Sequence, residues 1–448
     1  MPSSDVVVVG AGLAGMTAAI ALADAGARVD VVARGHAATH WTAGGLDVAA
    51  PTGSSTAADG LARLSARRGH PYAFLGSEVR AAIEWLTGVL SAEGLTYAGD
   101  LGEALRTVPT AIGSTRRVAL LPAGQAAALV PWSPDERLVV CGPAGFKDFW
   151  PAAIAASLER PGAWGGGGDA AGLRPARVDA VVVELPGIAG RRNLTALHLA
   201  RLFDDAAWSE AAFEIIAGAV DRAGSGPGRI ALPAVLGLAD HARALDDARR
   251  LLPLIPFEVP LVPPSIPGMR LYDALRSALR RRGGQVSIGE EVVRIGTAGR
   301  RVIEVALAAA ARDRVFRTGG MVVATGGIAG GGLVGRDDGI LVEPLLGLPV
   351  EAPAIDDWLA PDPFDPAGHP LESAGIRTDA TLRPVDGRGK VVFENVAIAG
   401  SMLAGQRYLA ERCGDGVAVA SGRRAAALFS TASSAPPPAR RQKAAATR

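Results

Sequence analysis

The start of the chain limits its fold more than any other segment. Val6-Val7-Val8-Val9 runs straight into Gly10-Ala11-Gly12-Leu13-Ala14-Gly15, an Ala-rich stretch continues to Ala25, and Gly26 precedes a second apolar run at Val29–Val32. Unbroken apolar runs of this length suit strands buried on both faces, the condition of a parallel sheet. Strand, Gly-x-Gly-x-x-Gly, helix and strand within about thirty residues is the order a dinucleotide-type phosphate site requires. Gly10 allows the tight exit from the strand, Gly12 lets backbone approach a phosphate, and Gly15 lets the helix pack closely on the strand. The helix N-terminus then offers free N–H groups and roughly half a positive charge to the anion. A βαβ unit without a ligand is the plainer alternative, and the motif's placement at a strand-to-helix turn weighs against it.

The same unit breaks one rule. Dinucleotide folds end the second strand with Asp or Glu, about 20 residues past the glycines, to accept hydrogen bonds from the ribose. Here the strand ends Val31-Val32-Ala33-Arg34, with Ala33 in the acid's place and Asp30 three residues too early. Either the ribose is held in another way or the ligand is a mononucleotide such as FMN. Arg34 would suit an extra phosphate, although an exposed arginine after a strand is the commoner occurrence.

At 448 residues the chain can bury the cores of two or three domains. Its 46 basic and 45 acidic residues are well mixed, so no nucleic-acid-binding surface is expected. No stretch of about 18 residues lacks charge, Pro or several Gly, so no membrane span is expected. Strand one begins at once, without a basic region or cleavage site, which fits a cytoplasmic protein. Cys141 and Cys413 have neither metal spacing nor a disulfide framework, and no metal site is expected.

Further along, a helix is expected around Glu78–Ala92, and a strand at Leu138–Cys141 leads through Gly142-Pro143-Ala144-Gly145 into a helix at Asp148–Leu158. That second glycine turn is too poor in glycine for another nucleotide site. A turn at Gly165–Gly168, a strand at Val178–Glu184 and a helix at Leu194–Phe203 follow. The six prolines between Pro253 and Pro267 read as an extended connector in which no helix survives. A helix at Arg270–Arg282 precedes strands at Gln285–Ile295, Arg301–Leu307 and Val315–Phe316, closed by Gly320-Met321-Val322-Val323-Ala324-Thr325-Gly326-Gly327. A late apolar run, Val391 to Gly400-Ser401, is followed by Cys413-Gly414-Asp415-Gly416-Val417 opening a helix to about Leu428.

The helix, the three strands and Val-Val-Ala-Thr-Gly-Gly resemble the two-dinucleotide-binding-domain flavoproteins, which include succinate dehydrogenase and fumarate reductase flavoprotein subunits. Further blocks narrow the match: Thr39-His40-Trp41-Thr42-Ala43-Gly44-Gly45-Leu46-Asp47, His70-Pro71-Tyr72, Leu236-Gly237-Leu238-Ala239-Asp240, Pro263-Pro264-Ser265-Ile266-Pro267-Gly268, Glu343-Pro344-Leu345-Leu346-Gly347 and Thr378-Asp379-Ala380-Thr381-Leu382-Arg383-Pro384. Together they are similar to the B subunits of anaerobic glycerol-3-phosphate dehydrogenase, in order along nearly the whole chain. The resemblance implies FMN, with FAD as the alternative. It also implies a catalytic A subunit, a membrane-associated iron–sulfur C subunit at the inner face of the membrane, and glycerol 3-phosphate as substrate with electrons passed towards quinone. A stand-alone FAD oxidoreductase of the fumarate reductase type and a flavin-free structural partner are the alternatives.

The fold class implied by the resemblance is α/β: a split Rossmann-like flavin-binding domain (1–75 and 270–430), an inserted α/β domain (76–269) and a disordered tail (431–448). Cofactor contacts are expected from Gly10, Gly12, Gly15, Arg34, Gly44, Gly45, Gly326, Gly327, Gly400, Gly414, Asp415 and Gly416. The late helix would point its N-terminus at the flavin, where Asp415 either sets a carboxylate against the charge of reduced flavin or caps the helix. Six residues before Gly44 stands Ala38 and not the histidine that carries covalent flavin in succinate dehydrogenase, so no covalent bond is expected. His40, His369 and Arg383 are the catalytic candidates. Arg383 would hold a phosphate or carboxylate bidentately, or else serve an ion pair orienting the chain. Arg270 is a further candidate for the substrate pocket.

Overall fold

The computed structural model describes residues 3–164, 174–308 and 313–430. The turn expected at Gly165–Gly168 and the tail from 431 lie outside the described residues. Strand β1 (Ser3–Val9), helix α1 (Leu13–Asp24) and strand β2 (Val29–Ala33) form the expected opening unit, β1 and β2 running parallel. They lie within a seven-stranded sheet in which Gln285–Ile288 pairs with β2 and the long strand Arg314–Val323 pairs with β1. The chain that opens the sheet and the chain that closes it are therefore neighbours in one layer.

Strand Arg314–Val323 changes partner half-way along one edge. Its first half pairs antiparallel with Arg301–Leu307, and its second half pairs parallel with the late strand Val396–Ile398. Buried Asn395 makes the join: its Oδ1 accepts from the Val302 N–H at 2.8 Å, and its Nδ2 donates to the Val302 and Gly319 carbonyls, both at 2.7 Å. The backbone groups left unpaired by the change of partner are satisfied by one side-chain amide.

A second sheet of four parallel strands, Ile255–Val259, Gly228–Pro233, Arg137–Pro143 and Arg177–Val183 in that spatial order, has its own apolar core between about residues 108 and 266. The first core takes residues from both ends of the chain and also helix Tyr72–Ser91. The α/β class is as expected.

Two expectations are corrected. The proline-rich segment is no plain connector: Ile255–Val259 is an edge strand of the second sheet, and a helix already runs from Ile266 to Arg281. Pro256 is tolerated because an edge strand can spare a donor, and Pro267 because the first helical turn has unpaired N–H groups anyway. Ser265 caps this helix, accepting from the Gly268 N–H. The strand expected at Gln285–Ile295 is two, Gln285–Ile288 and Val292–Ala298. They break at Gly289, whose φ of +85° permits a turn in which the N–H groups of Gly289 and Glu290 both donate to the Ala33 carbonyl.

Candidate functional site

The glycine turn has the geometry of a phosphate cradle. Gly10 has φ +110°, and a Cβ there would lie 2.2 Å from the Ala324 carbonyl oxygen; a Cβ at Gly15 would lie 1.9 Å from the Gly10 carbonyl oxygen. Both must be glycine for β1, α1 and the strand ending at Val323 to meet. Gly12 is the N-cap of α1 and has no such clash, only the Ala37 methyl group at 3.4 Å. No side chain caps α1, and its first turn has no acidic residue, so the first N–H groups keep their capacity for an anion. Gly400, at φ +70°, packs on Ala14 in the same turn, and Gly327 packs on the Ser401 carbonyl, so the late glycines converge on the start of α1.

The late helix Gly414–Ser430 lies along α1, with Gly422 against the Ala14 carbonyl. Its N-terminus is zipped to the loop after β2. The N–H groups of Asp415 and Gly416 donate to the Asp47 carbonyl at 3.1 and 3.2 Å, and the Asp47 N–H returns a bond to the Asp415 carboxylate at 2.8 Å. Arg116 holds the Asp47 carboxylate at 2.5 Å, and the Tyr97 hydroxyl donates to the Gly44 carbonyl at 2.6 Å. Gly44 is pressed against Pro267, where a Cβ would lie 2.6 Å from the proline Cβ, and Gly45 lies close to Leu121 and the Leu120 carbonyl.

Burial, reinforced by Asp47, raises the Asp415 carboxyl to about 7, against the lowering effects of the Asp47 N–H and Arg116. A raised carboxyl holds a proton in the folded state that the unfolded chain releases, so the contribution of Asp415 to stability is complete below about pH 4 and is lost as pH rises through about 7. Asp415→Asn keeps an acceptor for the Asp47 N–H and removes the titration. The variant should melt higher than the parent at pH 8 and level with it at pH 4, checked by thermal unfolding across that range.

His40 lies in the turn Ala38–Trp41, stacked on His36 with centroids 4.3 Å apart and edge-on to Tyr272 at 4.6 Å. Its buried Nε2 and the Tyr272 hydroxyl have no hydrogen-bond partner among the described residues. Burial, then the neighbouring His36, lowers its pKa, so the ring is neutral at pH 7 and able to accept a proton. Arg34 is exposed and lies 3.9 Å from Glu291. Arg383 is bound by Asp379 through Nε at 2.9 Å and an Nη at 2.8 Å, in a turn where Leu382 is forced to φ +68°. His369 holds a turn, its Nδ1 accepting from the Ala360 N–H and its own N–H donating to Glu372. Arg270 spends its guanidinium on Glu258 and the Gly237 carbonyl. Among the described residues no hydrogen bond or ion pair links His40, His369 and Arg383 to one another.

One buried cluster was not singled out from the sequence. His70 Nε2 lies 3.2 Å from a Glu411 carboxylate oxygen, the Cys413 thiol lies 3.5 Å from the same oxygen, and Arg67 pairs with the other. These atoms are close enough together to suggest a metal site. However, His70 Nδ1 accepts from the Tyr72 N–H at 3.0 Å, which puts the ring proton on Nε2 and turns it into a donor to Glu411. A metal-bound histidine has the opposite arrangement, its free nitrogen donating. The cluster is a hydrogen-bonded clamp just ahead of the late helix.

Residues 5–417 match the FAD binding domain family. A Halobacterium salinarum protein, named as the probable B subunit of an anaerobic glycerol-3-phosphate dehydrogenase, is 32% identical over 435 residues, covering 94% of this chain and 96% of that one. The chain belongs to this B-subunit family. The Yersinia pestis family member is 31% identical over 438 residues, covering 93% and 96% of the two chains. Among solved structures, 3-ketosteroid Δ1-dehydrogenase from Sterolibacterium denitrificans is 10% identical with a TM-score of 0.45, covering 96% of this chain and 100% of that one. The match to the FAD binding domain supports a flavin in this B-subunit family member, but it gives FMN no support as the first choice. No helix among the described residues is long and apolar enough to cross a membrane.

Proposed function

We propose that this chain is the flavin-bearing B subunit of an anaerobic glycerol-3-phosphate dehydrogenase that oxidises glycerol 3-phosphate to dihydroxyacetone phosphate and passes the electrons towards quinone. The observation that carries the reading is the end-to-end match, 32% identity over 94% of the chain. The split architecture, 1–75 with 270–430 around 76–269, is the functional division we infer, supported by the two separate sheets; helix Tyr72–Ser91 packs with the first. A catalytic A subunit and an iron–sulfur C subunit would complete the complex at the inner face of the membrane.

The residues fit the phosphate end of FAD. The free N–H groups at the start of α1 would bind the pyrophosphate, with Gly12 giving it room and Gly400, Gly326 and Gly327 shaping the far wall. The turn at Gly289 brings Glu290 and Glu291 to the end of β2, where their carboxylates would serve the ribose in place of the acid that Ala33 lacks. When bound, the flavin supplies the acceptor for a hydride. Neutral His40, with an unpartnered buried nitrogen, is the candidate to take the carbinol proton. Arg383 would bind a substrate phosphate only by releasing Asp379.

One observation favours a second reading. Asp415 and Asp47 satisfy each other where the late helix begins, and a helix start already occupied in this way is what a flavin-free structural partner would keep. The visible spectrum of the purified chain, followed by chromatography of the flavin released by heat, separates the two. A yellow protein releasing FAD is the expected result. A colourless chain that takes up neither FAD nor FMN would overturn the flavin reading.

A further inference from the structure

Charge is even over the whole chain but not over residues 334–372, which have nine acidic residues against one arginine and no lysine. The same stretch holds large apolar side chains out of the core. Phe364 is 90% exposed and Leu359 67%, with Ile340 and Ile355 beside them. Leu409, 65% exposed, joins them from a neighbouring segment. The segments that carry them are neighbours. Ile355 packs against Gly339, next to Ile340, and Leu371 donates to the Trp358 carbonyl next to Leu359. The Leu409 N–H reaches Glu372, and Gly368 packs on Ala410.

This surface is ordered. The Phe364 N–H donates to the Asp362 side chain at 2.9 Å, the Ala367 N–H donates to that of Asp365 at 2.8 Å, and His369 holds Ala360. Pro361, Pro363 and Pro366 fix φ at three further places. A stiff loop that presents an aromatic ring to water has already given up the conformational entropy that binding would otherwise cost, and rigid aromatic anchors dominate protein interfaces. Asp356 and Asp357 flank the apolar side chains and have no ion pair among the described residues.

We propose that the surface formed by Ile340, Ile355, Leu359, Phe364 and Leu409, within its acidic rim, docks the A subunit of the complex through an apolar pocket rimmed by arginine or lysine. The charge decides the occupant. A second copy would set acid against acid, and an anionic membrane surface would repel the same groups. The proposal rests on the subunit reading and gives it a surface.

The test uses the full chain and, as probe, the purified A subunit of the complex, with binding followed by titration and size-exclusion chromatography. The parent chain should bind, more weakly as ionic strength rises. Phe364→Asp combined with Leu359→Ser should weaken binding about tenfold or more. Its melting temperature should be unchanged, since both side chains are exposed. Equal binding by parent and variant would overturn the docking surface and leave the subunit reading standing. No binding by the parent chain would overturn both. A parent that dimerises through these residues would overturn the choice of partner.

Discussion

Replacing Arg270 with alanine is expected to lower stability by about 3–5 kcal/mol, because it strands a buried carboxylate. Arg270 grips both oxygens of Glu258, at 2.7 and 3.0 Å, and donates through Nε to the Gly237 carbonyl at 2.8 Å. Glu258 is fully buried; burial alone would raise its carboxyl, yet Arg270, His241 and the Leu236 N–H outweigh this and hold it below the ordinary value. The pair spans the two cores. Arg270 rides on the helix Ile266–Arg281, whose Leu271 and Leu275 belong to the first core, while Glu258 lies in the edge strand of the second sheet. Without the guanidinium, only the Leu236 N–H and, at 3.8 Å, His241 would face the charge. Urea unfolding should show the loss, and Arg270→Met combined with Glu258→Leu should recover most of it. A loss below about 1 kcal/mol for Arg270→Ala would mean that the pair is not what fastens the helix to the second sheet.

The parts of this molecule that could be read from its sequence are those whose geometry is local. Gly10 and Gly15 announce a turn because a Cβ at either would come within 2.2 or 1.9 Å of a carbonyl oxygen, and the spacing alone implies those close approaches. The prolines of 253–267 misled for the complementary reason. Proline forbids interior strands and interior helix, but the edge of a sheet and the first turn of a helix tolerate it, and neither location is visible locally. The zipper at the late helix was half legible. Asp415 stood out as an acid among glycines, but its partner Asp47 lies 368 residues away, and nothing marked Arg116 as the residue that would hold that partner. Arg383 and His369 look functional by residue type; in the folded chain Asp379, four residues away, binds the Arg383 guanidinium first, and the Ala360 N–H donates to Nδ1 of His369.

Replacing Glu411 with glutamine should cost about 3 kcal/mol near neutral pH, and the cost should vanish in acid. Burial by itself would raise this carboxyl, but the His70 Nε2–H, the Arg407 N–H at 2.8 Å and Arg67 together bring it down from 4.5 to about 2. A depressed carboxyl stabilises the fold above its unfolded pKa, so the contribution is complete above about pH 4.5 and is lost as pH falls through about 2. Glutamine can still accept from Arg407 but offers no charge to Arg67. Parent and variant should therefore differ most in urea midpoint at pH 7 and converge as pH approaches 2. A difference that persists undiminished in acid would show that shape and not charge makes Glu411 necessary. Because Cys413 donates its thiol to the same carboxylate, one residue before the late helix begins, the variant should also loosen that helix start. Faster amide exchange at Asp415 and Gly416, whose N–H groups bond the Asp47 carbonyl, would report it.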